Sequence, residues 1–103
     1  MGASQGYNAN LEALRPYSIA VTEKASGGDP VPFLKEAVAL DHSFAAPYAV
    51  LANVYYWRGM ELEAEEAITK AFDLRTSVSV LERLMIEAAY HKIVTQDAVQ
   101  RSR

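Results

Sequence analysis

Hydrophobic residues recur along this chain at the three- and four-residue spacings of amphipathic helices. No segment shows the alternation of hydrophobic and polar residues that is typical of strands. The helical spacing is clearest in two faces, which consist of Tyr48, Leu51, Ala52 and Tyr55 and of Ala64, Ala67, Ile68 and Ala71. The pattern therefore predicts an all-α fold.

Turn and capping residues divide the pattern into five main helices. Asp29 and Ser43 are placed to cap the second and third helices. Ser79 and Glu82 form a capping box at the start of the fifth. Gly59 is expected to supply the left-handed turn between the third and fourth. The predicted helices cover residues 8–24, 30–41, 43–59, 61–74 and 80–95.

Two positions predict departures from this arrangement. Pro16 lies too far along the first helix for a first-turn position, so we expect it to bend that helix or to delay its start. Asp97 is placed to cap a sixth helix, which has only two turns before Arg103. We expect so short a helix to be unstable by itself.

An internal repeat links the second and fourth helices. LKEAVALD, residues 34–41, and ITKAFDLR, residues 68–75, align without a gap, and each octet ends the second helix of a helix–turn–helix pair. The paired positions, each 34 residues apart, are Leu34 and Ile68, Ala37 and Ala71, Val38 and Phe72, and Leu40 and Leu74. A period of 34 in this setting is the signature of the tetratricopeptide repeat (TPR).

The chain thus resembles the TPR family, whose antiparallel helix pairs stack into a right-handed α-solenoid. The resemblance implies an irregular first unit over residues 10–42, a regular unit over 43–77, and a third unit over 78–103 that is truncated after its first helix. We expect residues 1–9 to be a tag remnant or a disordered lead-in. Thr76 departs from the family pattern, because a helix-ending proline is usual there.

The similarity extends over residues 11–100 to the TPR arrays of large bacterial regulators. In those proteins such arrays follow a serine/threonine kinase domain or a winged-helix DNA-binding domain. The segment ERLMIEAAYHKIVTQD is the most specific part of the match. The resemblance implies a fragment of a bacterial regulatory protein, and no phosphate loop or kinase triplet is present in it.

Composition and charge narrow the classes of partner. The net charge of −3 and the pI near 5.3 give no electrostatic footprint for nucleic acid or for an anionic membrane. The lack of cysteine excludes disulfides and thiol nucleophiles. No apolar run approaches the roughly 20 residues of a membrane-spanning helix, and no signal peptide is visible. We expect a cytoplasmic protein.

Candidate catalytic and metal-binding residues each have a simpler explanation. The glutamates at 61, 63, 65 and 66 open the fourth helix, where negative charge complements the helix dipole. Glu87 and His91 share a helix face, but two residues without further ligands are usually a surface contact. The glycines of SGGDP lack the Lys-Ser/Thr that follows a phosphate loop. We therefore expect a non-enzyme without cofactor or metal.

A second face of the third helix gives the best candidates for binding, namely Ala49, Asn53, Tyr56 and Trp57. In TPR stacks this face lines the concave groove, and an asparagine at the place of Asn53 often bonds a peptide backbone. The resemblance therefore implies a protein or peptide partner. Alternatively, Tyr56 and Trp57 pack against the first helix of the neighbouring unit. The basic cluster that binds a C-terminal carboxylate in some relatives is not apparent.

A homo-oligomerisation element is the alternative function. The fifth helix carries two apolar stripes, one of which (Leu81, Leu84, Met85 and Ala88) can dock on the third and fourth helices. The other is expected to lie exposed around Ile86, Tyr90 and Ile93, because most of its covering helix is missing. We expect that self-association patch to be buried against a second copy in a homodimer.

Overall fold

The computed structural model describes the backbone of residues 11–101 and the side chains of residues 11–95. Within this range every regular element is helical, which confirms the all-α prediction. The lead-in predicted over residues 1–9 lies outside the described residues. The elements are α1 (Leu11–Ala25), α2 (Val31–Leu40), α3 (Ala45–Trp57), α4 (Glu61–Asp73), a 3-10 helix (Arg75–Ser77) and α5 (Val80–Arg101).

The helices pack mainly on their neighbours in sequence. The most extensive contact joins α3 and α4, followed by those of α1 with α2 and of α4 with α5. Smaller contacts join α2 to α3 and α3 to α5. Two helix pairs, α1/α2 and α3/α4, are therefore joined side by side, and α5 packs against the second pair.

The two innermost pairs of the 34-residue repeat are equally buried. Leu34 in α2 and Ile68 in α4 are both 0% exposed, and so are Ala37 and Ala71. Equivalent positions in the two helices therefore face the core in the same way. The apolar spacing that defined the repeat in the sequence corresponds to one repeated packing surface.

Small side chains occupy the contact between α3 and α4. Ala52 and Ala64 are 0% exposed, and both belong to the hydrophobic core. The turn between the two helices contains Gly59, whose φ of +77° is in the left-handed region. The N–H of Met60 donates to the carbonyl of Tyr55 at 2.9 Å, which closes a Schellman motif. The predicted glycine turn is confirmed.

Of the three predicted helix caps, only that of Ser79 forms as predicted. The N-cap of α2 is Pro30, one residue later than predicted, although Asp29 Oδ1 accepts the N–H of Val31 at 3.1 Å. Ser79 Oγ accepts the N–H of Glu82 at 3.2 Å. The prediction for Ser43 is wrong, because its N–H and hydroxyl both donate to the carboxylate of Asp41, at 3.0 and 2.7 Å. Helix α3 starts two residues later, without a side-chain cap.

Pro16 lies inside α1 and does not delay its start. The helix is already formed at Leu11, so that part of the prediction is wrong. The proline ring is buried among the residues that α1 turns toward the core. This apolar burial offsets the hydrogen bond to the preceding turn that proline, which lacks an N–H, cannot donate. The predicted bend of α1 stays a prediction.

The predicted sixth helix is also wrong. Helix α5 continues through Asp97 as far as Arg101. No glycine or proline occurs between Val80 and Arg101, so nothing in the sequence ends the helix at residue 95. An aspartate can cap a helix only where the preceding backbone leaves the helical conformation.

The two apolar stripes of α5 are oriented opposite to the prediction. Ile86 and Ile93 are 3% and 0% exposed, so the predicted exposed patch at Ile86, Tyr90 and Ile93 is wrong. The ring of Tyr90 stacks on that of Phe72 in α4, with centroids 4.1 Å apart. The outward stripe is the other one, with Leu81 and Leu84 68% and 54% exposed.

An aromatic and charged cluster fixes this orientation of α5. The guanidinium of Arg75 lies 3.7 Å from the ring centroid of Phe72. The same ring of Phe72 stacks on Tyr90. Arg75 Nε is also 3.5 Å from the carboxylate of Glu87. The cluster ties α4, the 3-10 helix and the inward face of α5 together.

Ala52→Leu should lower the free energy of unfolding by about 1–3 kcal/mol, because the fully buried site has no space for three more carbon atoms. Urea melts followed by circular dichroism measure this effect. Ala88→Leu, at an exposed position of α5, is the matched control and should stay within about 0.5 kcal/mol of the wild type. Equal stabilities for the wild type and both variants would mean that α3 and α4 pack through other faces.

Asp29 should make stability depend on pH in the acid range. Its hydrogen bond from the N–H of Val31, and then that from Arg58, lower the pKa of the carboxyl below 3.8. The contribution of Asp29 is therefore complete above the unfolded-state pKa and is lost as the pH falls through the folded-state pKa. Asp29→Asn keeps a capping oxygen without the charge, so its Tm should be lower at neutral pH and equal to the wild type in acid.

Thermal melts of wild type, Asp29→Asn and the exposed control Glu66→Gln over this pH range test the prediction. The wild-type and Asp29→Asn curves should converge in acid, whereas the control should follow the wild type throughout. A difference between wild type and Asp29→Asn that is the same at every pH would contradict a role for the charge.

Candidate functional site

Helices α1, α3 and α5 together line a cavity of about 180 Å³, which we call the apolar cavity. Alanines of α3 and α5 leave the space that the cavity occupies, and Val50 and Ile86 add apolar surface. Its lining residues are Tyr17 of α1, Ala46, Ala49, Val50 and Asn53 of α3, and Glu82, Met85, Ile86 and Ala89 of α5.

Three polar groups line this otherwise apolar cavity. The side-chain amide of Asn53 and the hydroxyl of Tyr17 make no hydrogen bond with the described residues. The carboxylate of Glu82 accepts a long bond, 3.4 Å, from Ser79 Oγ. Burial, and secondly the negative charge of Glu82, raise the pKa of the Tyr17 hydroxyl, so it stays neutral at pH 7. Asn53 and Tyr17 therefore present unused donors and acceptors to the cavity.

A second cavity, of about 390 Å³, lies at the carboxyl-terminal ends of α1 and α3. We call it the basic cavity, because two cations and no carboxylate line it. Asn53 lines both cavities, so the two adjoin at this residue. The lining of the basic cavity consists of Lys24, Gly28, Pro30, Asn53, Val54, Trp57 and Arg58.

The four predicted groove residues do not share one site. Ala49 and Asn53 line the apolar cavity, whereas Trp57 lines only the basic one and is 76% exposed. Tyr56 lines neither cavity and is packed against the core. The ammonium of Lys92 on α5 lies 4.8 Å from the ring centroid of Tyr56. Tyr56 therefore meets the neighbouring helix, as the alternative interpretation expected.

Several lining residues were missed from the sequence. Tyr17 was missed because Pro16, in the irregular first unit, obscured the correspondence between α1 and α3. Glu82 was assigned to the capping box alone, although its carboxylate also lines the apolar cavity. Arg58 and Lys24 come from the ends of two different helices, so no local pattern links them.

The glutamate and histidine considered for a metal site each contact another side chain. Within them no group of three or more His, Asp or Glu side chains is arranged to hold a metal ion. The carboxylate of Glu87 is engaged by Arg75, and the ring of His91 lies edge-on to Tyr90 at 5.8 Å. None of the described helices is long and apolar enough to cross a membrane.

A scan against protein-family models and searches of the curated proteins and of the solved structures found no significant match. The resemblance to the TPR family therefore depends on the residues of this chain alone. The strongest support for the resemblance comes from the 34-residue repeat, since its four innermost residues are all fully buried.

Proposed function

We propose that this chain is a non-catalytic, TPR-like interaction module that binds an extended peptide segment of a protein partner. In this proposal the helix pairs stack as a short right-handed α-solenoid, and the groove of α1, α3 and α5 receives the peptide. The single observation that carries it is the amide of Asn53 at an apolar cavity, which makes no hydrogen bond with the described residues.

The arrangement of the helices supports a solenoid. In such a stack the first helices of successive units share one side and line the concave surface. Helices α1, α3 and α5 are the first helices of the three predicted units, and residues from all three line the apolar cavity. The second helices, α2 and α4, contribute no residue to that lining.

The chemistry of the cavity favours a peptide over a cofactor. A volume of about 180 Å³ is below the roughly 300–1,000 Å³ that is usual for small-molecule sites, and suits one or two side chains. The amide of Asn53 can donate to a peptide carbonyl and accept from a peptide N–H at once. Apolar side chains of the peptide would gain about 25 cal/mol for each Å² that they bury.

The cellular setting of this module follows from the sequence resemblance. We propose that it acts in the cytoplasm within a larger bacterial regulatory protein, whose kinase or DNA-binding domain lies in another segment. The module would then recruit a protein partner or bind another part of its own polypeptide. The net charge of −3 supports a protein partner over nucleic acid.

Blocking the apolar cavity should abolish peptide binding. The test is selection of a displayed library of random heptapeptides on the immobilised chain, followed by titration of the selected peptides. Ala49→Arg should fill the cavity and weaken their binding at least about tenfold. Thr69→Arg adds the same side chain on the exposed surface of α4 and is the matched control. Failure to select any peptide, or equal binding by Ala49→Arg, would contradict the proposal.

Self-association is the second candidate function, and it is favoured by the outward stripe of α5. Leu81, Leu84 and Met85 of this stripe are 68%, 54% and 63% exposed. Three large apolar side chains in contact with water are characteristic of an interaction surface. This stripe is not the predicted patch, whose residues Ile86 and Ile93 are buried. Burial against a second copy would remove the outward stripe from water.

Sedimentation velocity should show a concentration-dependent monomer–dimer equilibrium if this second candidate is correct. Leu84→Glu places a charge in the stripe and should shift the protein to monomer, while the helical circular dichroism remains unchanged. Leu62→Glu introduces the same change on α4, at a leucine that is 74% exposed, and should leave the equilibrium unaltered. A wild-type protein that remains monomeric at high concentration would contradict self-association.

A further inference from the structure

The two cavities that meet at Asn53 differ in charge. Among the described residues, the carboxylate of Glu82 is the only charged group that lines the apolar cavity. Within the same part of the chain, Lys24 and Arg58 are the only charged groups that line the basic cavity. A ligand that contacts Asn53 and extends into both cavities therefore meets a negative group at one end and positive groups at the other.

Nearby charges do not cancel this difference. The guanidinium of Arg58 is paired with Asp29 at 3.0 Å, and the carboxylate of Glu23 lies against Gly28. Lys24, however, makes no ion pair with the described residues. The ammonium of Lys92 also lies 5.8 Å from the ring centroid of Trp57, beside the basic cavity. Lys24 is thus the cation at this end that no described carboxylate pairs.

The extent of the lining along α3 sets a length for the ligand. Its residues run from Ala46 in the apolar cavity to Trp57 in the basic one. Eleven residues of helix, at 1.5 Å each, span about 17 Å. An extended peptide advances roughly 3.3 Å per residue, so about six residues cover this distance.

We propose that the groove recognises the charges of its peptide, binding an extended segment of about six residues with a basic residue at one end and an acidic residue at the other. The basic residue pairs with Glu82, and the acidic residue with Lys24 and the free N–H groups of Arg58. A small apolar residue between them enters the apolar cavity beside Asn53. This inference rests on the proposed function and adds the chemical class of the peptide.

Three capped hexapeptides with the central sequence Ala-Leu-Ala-Ala test the inference. One begins with lysine and ends with glutamate, one has the reverse order, and one has glutamine at both ends. Trp57 is the only tryptophan of the chain and lines the basic cavity, so its fluorescence reports binding. One charged peptide should bind about two- to fivefold more tightly than the glutamine peptide at low salt, and the preference should shrink at high salt.

Two variants, each of which removes one charge, show which residue of the groove contacts each charged end of the peptide. Glu82→Gln keeps a residue that suits the capping box and should reduce the preference for the charged peptide. Lys24→Gln should have the same effect at the opposite end. Glu66→Gln, on the exposed surface of α4, is the control and should change nothing.

The outcomes separate this inference from the proposed function. Equal binding of all three peptides would overturn the charge recognition and leave the peptide groove intact. Absence of any fluorescence change would also overturn the inference, while the heptapeptide selection with Ala49→Arg decides independently whether the groove binds peptides. A preference that persists in both Glu82→Gln and Lys24→Gln would show that other charges are responsible.

Discussion

The close approach of α3 and α4 is the contact on which the rest of the structure depends. Ala52 and Ala64 leave room for the two backbones to approach, and Gly59 reverses the chain without strain. Helix α4 in turn positions α5, because the ring of Tyr90 stacks on Phe72. The groove therefore depends on alanines that contribute no atom to it: a displaced α4 would move one of its three walls.

Local signals in the sequence were sufficient to predict interactions between residues that lie only a few positions apart. The left-handed turn at Gly59 and the cap at Ser79 each involve partners within five positions, so the sequence alone identifies them. The cap at Ser43 failed because Asp41 competes for the same hydroxyl. The helix end at residue 95 failed because a capping aspartate does not by itself break a helix.

The sequence does not determine which of two similar helix faces packs against the core. The two stripes of α5 contain residues of similar size and hydrophobicity, and periodicity identifies both without ranking them. What distinguishes them is the partner across the interface, since only the stripe containing Tyr90 meets Phe72. The same reasoning explains Tyr56 and Trp57: adjacent helix residues point about 100° apart, so one contacts the core and the other solvent.

If the groove binds a peptide as proposed, its polar groups determine what kind of recognition it performs. A hydrogen bond from Asn53 to a peptide replaces one to water, and such an exchange contributes only about 0.5–1.5 kcal/mol. That bond is made to a backbone, which every peptide has, so it cannot distinguish one sequence from another. Selectivity must then come from side chains, through the shape of the apolar cavity and the charges of Glu82 and Lys24. Because both charges are in contact with water, each contributes little, and a strong preference requires that one peptide satisfy both ends together.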